Sequence, residues 1–398
     1  MKKYLSLFSM FLVMVCNAQS FEYEKSYPIE DYNFVLGTQA LGAKYQFGTE
    51  SSLVEQAKQI RALGSNILKV SLGKKAPKNY RLDVKNSKTT LELFKSSPDF
   101  KKVFDMDFKY IFVWVHTLTD VEWKKKMDAS DQKKIYDEMY ELAAYILKEY
   151  NDSGKTFMFG NWEGDWLLHP NYNRQFSPPK NHVDNMTLWF QIRQKAIDDA
   201  KANIKHKNVS LYHYIELNLV LKGIKGEVCI AESILPNVNV DFVSYSSYEA
   251  IKNRTYDEKK QQLTEIFNYL EGKLQPKENL PFVRRVFLGE YGYHANINKP
   301  QSFQKQYDET VEIMKITLEL NLPFALHWQM YNNEYDKNGV SKEMSLINEK
   351  GEKMPLYFFH QKYYQQLNDY LKEFKKQNNN YPSSEVFAKK ALEVINNL

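Results

Sequence analysis

The stretches FGNWEGDW (159–166) and VFLGEYGY (286–293) decide how the fold of this chain is interpreted. Each continues an apolar run that is typical of a buried parallel strand, and each carries a glutamate surrounded by aromatic residues. The two glutamates are Glu163 and Glu290. A glutamate just past such a strand lies at the rim of the sheet, where α/β barrels build their active sites. The two stretches therefore predict two carboxylates on different strands of one sheet.

Outward from these stretches, strand-like and helix-like segments alternate, which is typical of a parallel sheet with helical crossovers. The predicted strands cover 33–38, 66–72, 109–117, 155–161, 209–217, 240–248, 284–292 and 323–331. A helix is expected between most pairs, most clearly over 131–150, and the tail from 355 is expected to be helical. This order predicts an α/β fold, a single-domain (β/α)8 TIM barrel over residues 19–398 with C-terminal helices. A doubly wound open sheet is the alternative, although no Gly-rich phosphate loop follows the first strand.

Two segments are expected to be irregular. The stretch 73–98 is predicted to be a long loop with a little helix, and a polar, proline-containing loop covers about 165–182. Long loops within a compact domain are often functional. Loops after the second, fourth and eighth strands are therefore expected to shape a cleft.

Residues 1–18 have the pattern of a secretory signal peptide, with a basic pair at 2–3 and an apolar run at 4–15 that is too short to span a membrane. Cleavage before Gln19 is plausible, and a lipoprotein signal acylated at Cys16 is the alternative. No other run is long and apolar enough for a membrane span. We therefore expect a secreted or periplasmic protein.

Composition narrows the classes of function. A hydrophobic content of 43% is enough for a sizeable core, and the formal net charge of +5 is spread over interspersed lysines and glutamates, which argues against a nucleic-acid partner. Beyond the leader the chain holds a single cysteine, Cys229, so no disulfide framework is expected. Neither a cofactor nor a metal is required by the pattern, and a monomer is expected.

The two strand-end glutamates suit glycoside hydrolysis, the commonest two-carboxylate chemistry. A general acid must keep its proton near neutral pH, and Trp162 and Trp166 could raise the pKa of Glu163 by giving it an apolar setting. A nucleophile should stay ionised, and nearby tyrosines could hold Glu290 in that state by hydrogen bonds. Asp165 is the internal competitor for the role of acid.

Other candidate contacts to a sugar also fall at predicted strand ends. Trp328 is the preferred stacking platform, whereas Trp114 is equally consistent with core packing. Lys69 could hold Glu290 ionised or be a surface lysine. The remaining substrate-binding candidates are His116, His213 and Tyr248.

Histidines at strand ends leave a metal-dependent barrel hydrolase open as an alternative. Such a site would need His116, His213 and a carboxylate to converge on one point. No His-x-His motif lies on the first strand and no HExxH motif occurs in the sequence. We expect these histidines to bind substrate hydroxyls or the two glutamates instead.

The order of motifs resembles the clan A retaining glycoside hydrolases. The segments that carry the resemblance are IRALGSNILKV (60–70), FGNWEGDW, VDFVSYSSY (240–248), FLGEYGY, LHWQMY (326–331) and SLINEKGEKMPLYFFHQ (345–361). The resemblance implies a (β/α)8 barrel in which Glu163 is the acid/base after strand four and Glu290 the nucleophile after strand seven. It also implies that Tyr248 lies near the nucleophile and that Trp328 floors the subsite at the cleavage point.

The sequence departs from that clan at two positions. The clan places asparagine directly before the acid/base glutamate, whereas here Trp162 intervenes and Asn161 is two residues back. Either a local bulge restores the reach of Asn161 to the sugar 2-hydroxyl or that contact is lost. The second strand carries Lys69 where the clan commonly has arginine.

Together these observations predict a retaining glycosidase acting on an oligo- or polysaccharide, with its two carboxyl groups about 5–5.5 Å apart. A barrel that binds glycan without cutting it is the alternative from another class.

Overall fold

The computed structural model describes residues 28–84, 86–119 and 121–398. The predicted signal peptide and Cys16 lie outside these ranges. Within them, strands of three to eight residues run in chain order: β1 (Leu36–Gln39), β2 (Ile67–Leu72), β3 (Tyr110–Val115), β4 (Thr156–Gly160), β5 (Ser210–Leu217), β6 (Phe242–Ser246), β7 (Val286–Tyr291) and β8 (Ala325–His327).

Every strand pairs in parallel with the next, and β8 pairs back onto β1 through Leu36 and Ala325. The sheet is thus a closed barrel, as predicted, and the open doubly wound sheet is excluded. β8 is shorter than predicted, because residues 328–331 leave the ladder.

Alternation along the strands separates two apolar layers. Inward-facing rings fill the barrel, with Phe324 in edge contact with Phe112 and Phe287 at centroid distances of 4.9 Å and 5.8 Å. Outward-facing aliphatic residues pack against the helices. At the carboxyl ends of the strands the inward positions turn polar, as at Lys69 and Glu216. The barrel interior is therefore apolar toward the amino ends of the strands and contains ionisable side chains toward their carboxyl ends, where a barrel holds its active site.

The helices lie between and after the strands: α1 (Ser52–Leu63), α2 (Ala76–Tyr80), α3 (Thr90–Ser96), α4 (Pro98–Asp105), α5 (Ala129–Glu149), α6 (Gly164–Leu168), α7 (Lys180–Asn203), α8 (Val220–Ile224), α9 (Tyr248–Ile251), α10 (Tyr256–Lys273), α11 (Gln301–Glu319), α12 (Pro355–Asn378) and α13 (Ser384–Asn397). Local signals set several of the bounds. Gly64 ends α1 in the left-handed region at φ 108°, and a capping box between Thr255 and Glu258 starts α10.

The segment predicted as a long loop with a little helix holds α2 and α3, and α4 starts where it ends. A proline in the first turn starts both α2 and α4, and the Thr89 side chain caps α3. The loop predicted over 165–182 contains α6 and one 3-10 turn at Pro170–Tyr172.

The tail is helical, as predicted, and its helices pack against the barrel. On α12, the hydroxyls of Tyr363 and Tyr364 each donate a hydrogen bond of 2.8 Å to a backbone carbonyl of the β1 region, at Phe34 and Leu36. These bonds tie the tail to the first strand. No helix in the described ranges is long and apolar enough to cross a membrane.

Candidate active site

A cluster of buried and half-buried polar side chains lies at the carboxyl ends of β2, β4, β5, β6 and β7. Both sequence-predicted glutamates belong to it. Its members are Lys69, Glu163, Glu216, Ser244, Ser246 and Glu290. This is the face of the barrel on which active sites are built.

Glu163 lies three residues after the end of β4, at the N-cap position of α6, and its side chain makes no capping hydrogen bond to that helix. The hydroxyl of Ser246 donates a hydrogen bond of 2.5 Å to Glu163 Oε1. The backbone N–H of Glu163 donates a hydrogen bond of 3.2 Å to the Glu216 carboxylate. Burial raises the pKa of Glu163 to about 7; the negative charge of Glu216 adds to this, while the Ser246 hydrogen bond and Lys69 oppose it. Glu163 is thus poised to hold a proton near neutral pH, as a general acid requires.

Glu290 faces the barrel mouth because β7 contains a bulge. Tyr245 pairs with Leu288 but the next residue, Ser246, pairs with Glu290, so Gly289 is the extra residue. The side chain after the bulge points the other way: Tyr291 is buried against His327 in the outer layer, with ring centroids 5.6 Å apart. Without the extra residue, strict alternation would have turned Glu290 outward.

The charge state of Glu290 is set by competing neighbours. Its side chain is only 4% exposed, and Lys69 Nζ lies 3.8 Å from its Oε1. Burial raises the pKa of Glu290 well above its ordinary range, the charge of Glu163 raises it further, and Lys69 opposes both. Burial of the two carboxyls and their mutual repulsion thus oppose ionisation of both at neutral pH. Within the described ranges Glu290 Oε1 has no hydrogen-bond donor.

Glu216, near the end of β5, belongs to the cluster although it is not among the site residues predicted from the sequence. It is fully buried, accepts a hydrogen bond from Lys69 Nζ at 2.6 Å, and accepts another from Ser244 at 2.8 Å. The Lys69 ammonium is therefore hydrogen-bonded to Glu216 and lies farther from Glu290, at 3.8 Å. Strand alternation was the available signal, since Glu216 and Lys69 share the inward face of their strands.

Asn161 clamps β4 to β5. Its Oδ1 accepts from the backbone N–H of Glu216 at 3.1 Å, and its Nδ2 donates to the carbonyls of Glu216 and Trp162 at 2.9 Å and 3.2 Å. The side chain is 1% exposed. Both ends of the amide are thus engaged with the backbone, and a contact from Asn161 to a sugar hydroxyl stays a prediction.

Asp165, the other candidate for the general acid, is also hydrogen-bonded to backbone groups. Its carboxylate is fully buried and accepts hydrogen bonds from the N–H groups of Asn218, Leu219 and Ile230 at 2.9–3.0 Å. These bonds fix the chain after β5 against α6. Asp165 is thus an anchor of the loop, whereas the Glu163 carboxyl lies in the cluster.

Aromatic residues surround the glutamates. The rings of Trp114 and Trp328 are 6.2 Å apart, and Lys69 Nζ lies 4.3 Å from the Trp114 ring centroid. Trp162 is half-buried against this inner aromatic cluster, and Trp166 is half-buried with Tyr172 at 5.3 Å.

Tyr248, at the start of α9, is half-buried beside the two glutamates. Burial raises the pKa of Tyr248 well above its ordinary range, and the charges of Glu290 and Glu163 raise it further. The phenol therefore stays protonated and able to donate a hydrogen bond at the mouth of the barrel.

The histidines do not converge with the glutamates. His213 points into the helix layer, where its Nδ1 lies 3.1 Å from Gln194 of α7, and it is fully buried there. His116 follows β3 against Gly73, and burial, with the charges of Arg193 and Lys75, lowers its pKa to about 4. Among the described residues no group of three or more His, Cys, Asp or Glu side chains is placed to hold a metal ion.

Comparisons with known proteins bear on the fold. No protein-family profile and no curated protein matches the sequence. Among solved structures, the chain resembles a calcium-binding mutant of Bacteroides uniformis β-glucuronidase 2 (TM-score 0.52, 10% identity, 83% of this chain and 34% of that one). It also resembles a family 39 glycoside hydrolase from the gut symbiont Bacteroides cellulosilyticus (0.52, 10%, 84% and 64%) and a Bacteroidetes-affiliated GH5 cellulase linked with a polysaccharide utilization locus (0.50, 13%, 91% and 95%).

At such low identities these likenesses establish the (β/α)8 fold. The chain spans 31–34% of the length of three β-glucuronidase structures that it matches. What those proteins act on therefore has no direct bearing on this chain.

Proposed function

We propose that this protein is a retaining glycoside hydrolase of the clan A type, acting on an oligo- or polysaccharide through Glu163 and Glu290. The observation that carries the proposal is the pair itself: half-buried Glu163 after β4 and buried Glu290 on β7, coupled by charge, with the pKa of Glu163 raised to about 7. The glycoside hydrolases among the structural neighbours support the same reading.

In the proposed first step Glu290 attacks the anomeric carbon, and the bond from that carbon to the leaving oxygen breaks. Glu163 gives its proton to the leaving oxygen. In the second step Glu163 removes a proton from water, the water oxygen bonds to the anomeric carbon, and Glu290 departs as a carboxylate. This sequence of steps requires the proton on Glu163 and an ionised Glu290.

Lys69 Nζ lies 3.8 Å from Glu290 Oε1 and would stabilise the ionised nucleophile. Its ammonium opposes the rise in the pKa of both glutamates, and Glu216 holds the ammonium in place at 2.6 Å. Trp328 and Trp114 would stack on the sugar, and Tyr248 would donate to the nucleophile or to the substrate. The separation of about 5–5.5 Å between the carboxyl groups stays a prediction, as does secretion through residues 1–18.

The experiment is a screen of the purified protein on aryl α- and β-glycosides and on plant, algal and host polysaccharides, with Glu163→Ala and Glu290→Ala alongside. Both variants should lose activity, and azide should rescue Glu290→Ala as a glycosyl azide of inverted configuration. Glu141→Ala, on the exposed face of α5, is the matched control and should retain activity. Full activity in either site variant would refute the assignment.

A glycan-binding barrel without turnover is the second candidate. It is favoured by the absence, within the described ranges, of a hydrogen-bond donor to Glu290 Oε1 and by the engagement of Asn161 with backbone. Binding to a glycan without hydrolysis of any substrate, unchanged in both glutamate variants, would select this alternative.

A further inference from the structure

A basic groove opens beside the candidate active site, between the loops that follow β4, β5 and β6. Its cavity measures about 480 Å³, within the range of pockets that hold small ligands. Four cationic side chains line it, Arg174, Lys222, Lys225 and Lys252.

Tyr248 connects this groove to the two glutamates. Its side chain lines the cavity, and the Lys252 ammonium lies 5.6 Å from its ring centroid. After burial, the charges of Glu290 and Glu163 are the largest causes of the raised pKa of Tyr248. A sugar bound in the groove would therefore adjoin the reacting bond.

Some of the positive charges in the groove have partners within the protein and others do not. Lys222 donates to the carbonyls of Arg174 and Phe176 at 2.9 Å and 3.0 Å and lies 3.7 Å from Glu227, so its position is fixed. Lys225 and Lys252 are exposed, and in the described part of the chain neither ammonium has a carboxylate within ion-pairing distance.

Glu249, the second carboxyl of the groove, is paired with Arg174. It lies 3.3 Å from Arg174 and accepts a hydrogen bond from the backbone N–H of Leu221 at 3.0 Å. Burial raises its pKa to about 7, so that near neutral pH a large share of it is protonated. The groove thus keeps a net positive charge, with two lysines free to meet a ligand.

We propose that this groove is a subsite for an anionic sugar residue, one that carries a carboxylate or a sulfate, with Lys225 and Lys252 as its recognition residues. The proposal rests on the proposed function, since it names the substrate class of the same site. Ammonium groups without partners attract such a substituent, and a neutral sugar leaves them unpaired.

The test measures binding by calorimetry in the Glu290→Gln background, which is expected to prevent turnover. The ligands are a glucuronic-acid-containing oligosaccharide with its carboxyl-reduced form, and a sulfated galactan oligosaccharide with its desulfated form. At low salt, at least one charged ligand should bind about fivefold or more tightly than its neutral partner. The preference should shrink at 0.5 M NaCl, where the Debye length is only a few ångströms.

Lys225→Gln/Lys252→Gln should remove most of that preference, whereas Lys225→Arg/Lys252→Arg should keep it. Lys389→Gln, exposed on α13, is the control for charge removed elsewhere and should change nothing. Equal binding of charged and neutral partners, retention of the preference in the double glutamine variant, or no binding by any of the four ligands would overturn the proposal. Which pair shows the preference separates a carboxylate from a sulfate.

The two proposals fail differently. Lysine-dependent binding of a charged ligand that the wild-type protein never hydrolyses would count against the hydrolase and leave the subsite standing. Hydrolysis of neutral glycans that depends on Glu163 and Glu290, at rates equal in wild type and the double glutamine variant, would do the reverse.

Discussion

Lys69 Nζ lies 2.6 Å from a carboxylate oxygen of Glu216, and both side chains are fully buried at the mouth of the barrel. The two residues are 147 positions apart, on β2 and β5. The attraction within a buried ion pair offsets the cost of removing both charges from water only when the geometry is good and further hydrogen bonds are made. Here Ser244 donates such a hydrogen bond to Glu216. Removing one partner leaves the other charge without compensation.

Lys69→Met should therefore lower the free energy of unfolding by about 3–5 kcal/mol, because Glu216 would remain buried with its charge unpaired. Urea denaturation at pH 7 measures this. Lys69→Met/Glu216→Gln should recover a substantial part of the loss, since the second change removes the stranded charge.

The control for Lys69→Met is Lys180→Met, which breaks an exposed pair with Asp184 of 2.7 Å. Exposed pairs contribute at most about 1 kcal/mol, so this variant should stay close to the parent. Equal losses in the two single variants would contradict the special role of the buried pair.

The Ser246 hydrogen bond should hold down the pKa of Glu163. Its hydroxyl donates to the carboxylate at 2.5 Å and so favours the ionised form. Ser246→Ala should move the titration of Glu163 from about pH 7 upward by about one pH unit, which the carboxyl carbon shift in NMR measures directly. In an active enzyme the basic limb of the kcat/KM profile should move the same way.

Ser247→Ala is the neighbouring control for this titration, because the Ser247 hydroxyl donates to the backbone carbonyl of Glu290 at 2.9 Å. It should leave the Glu163 titration in place. A downward movement in Ser246→Ala would show that the hydroxyl does not stabilise the carboxylate.

The raised pKa of Glu163 should also make folding stability depend on pH. Between the ordinary value of 4.5 and about 7, the folded protein holds a proton that the unfolded chain has released. Stability is thus present in full below pH 4.5 and is lost as the pH rises through that window, by about 1–3 kcal/mol for this group.

Glutamine at position 163 does not ionise, so Glu163→Gln should not lose stability as the pH rises from 4.5 to about 7. The variant should be more stable than the parent at pH 8 by about 1–3 kcal/mol, with the difference narrowing toward pH 4.5. Denaturation curves at both pH values measure it, and Glu141→Gln on exposed α5 should show no pH-dependent difference. A variant less stable than the parent at pH 8 would contradict the raised pKa.

The sequence allowed the barrel and the positions of both glutamates to be predicted, because apolar parallel strands are readable locally and their carboxyl ends mark the rim. It did not allow the partners of those glutamates to be predicted. Asn161 and Glu216 meet through the pairing of β4 with β5 and the path of the backbone after β4, whereas the clan pattern suggested a sugar contact for the asparagine. The bulge at Gly289 also stayed hidden, since period-two alternation alone turns Glu290 outward.

That bulge should depend on the absence of a side chain at Gly289. A Cβ placed there would lie 1.7 Å from Ser244 Oγ and 3.1 Å from Glu216 Oε2, inside the hydrogen-bonded cluster. Gly289→Ala should therefore destabilise the protein by about 2–3 kcal/mol or more, as overpacking does.

Chemical denaturation of four variants tests the role of Gly289. Ser244→Ala removes the nearest atom, so Gly289→Ala/Ser244→Ala should lose less than the sum of the two single changes. Gly272→Ala is the control, because a Cβ there meets nothing within 4 Å, and alanine in α10 should stabilise by about 0.5–1 kcal/mol. Additive losses would mean that the strain in Gly289→Ala falls elsewhere than on Ser244, and an unchanged Gly289→Ala would mean that the strand can carry Glu290 inward without the glycine.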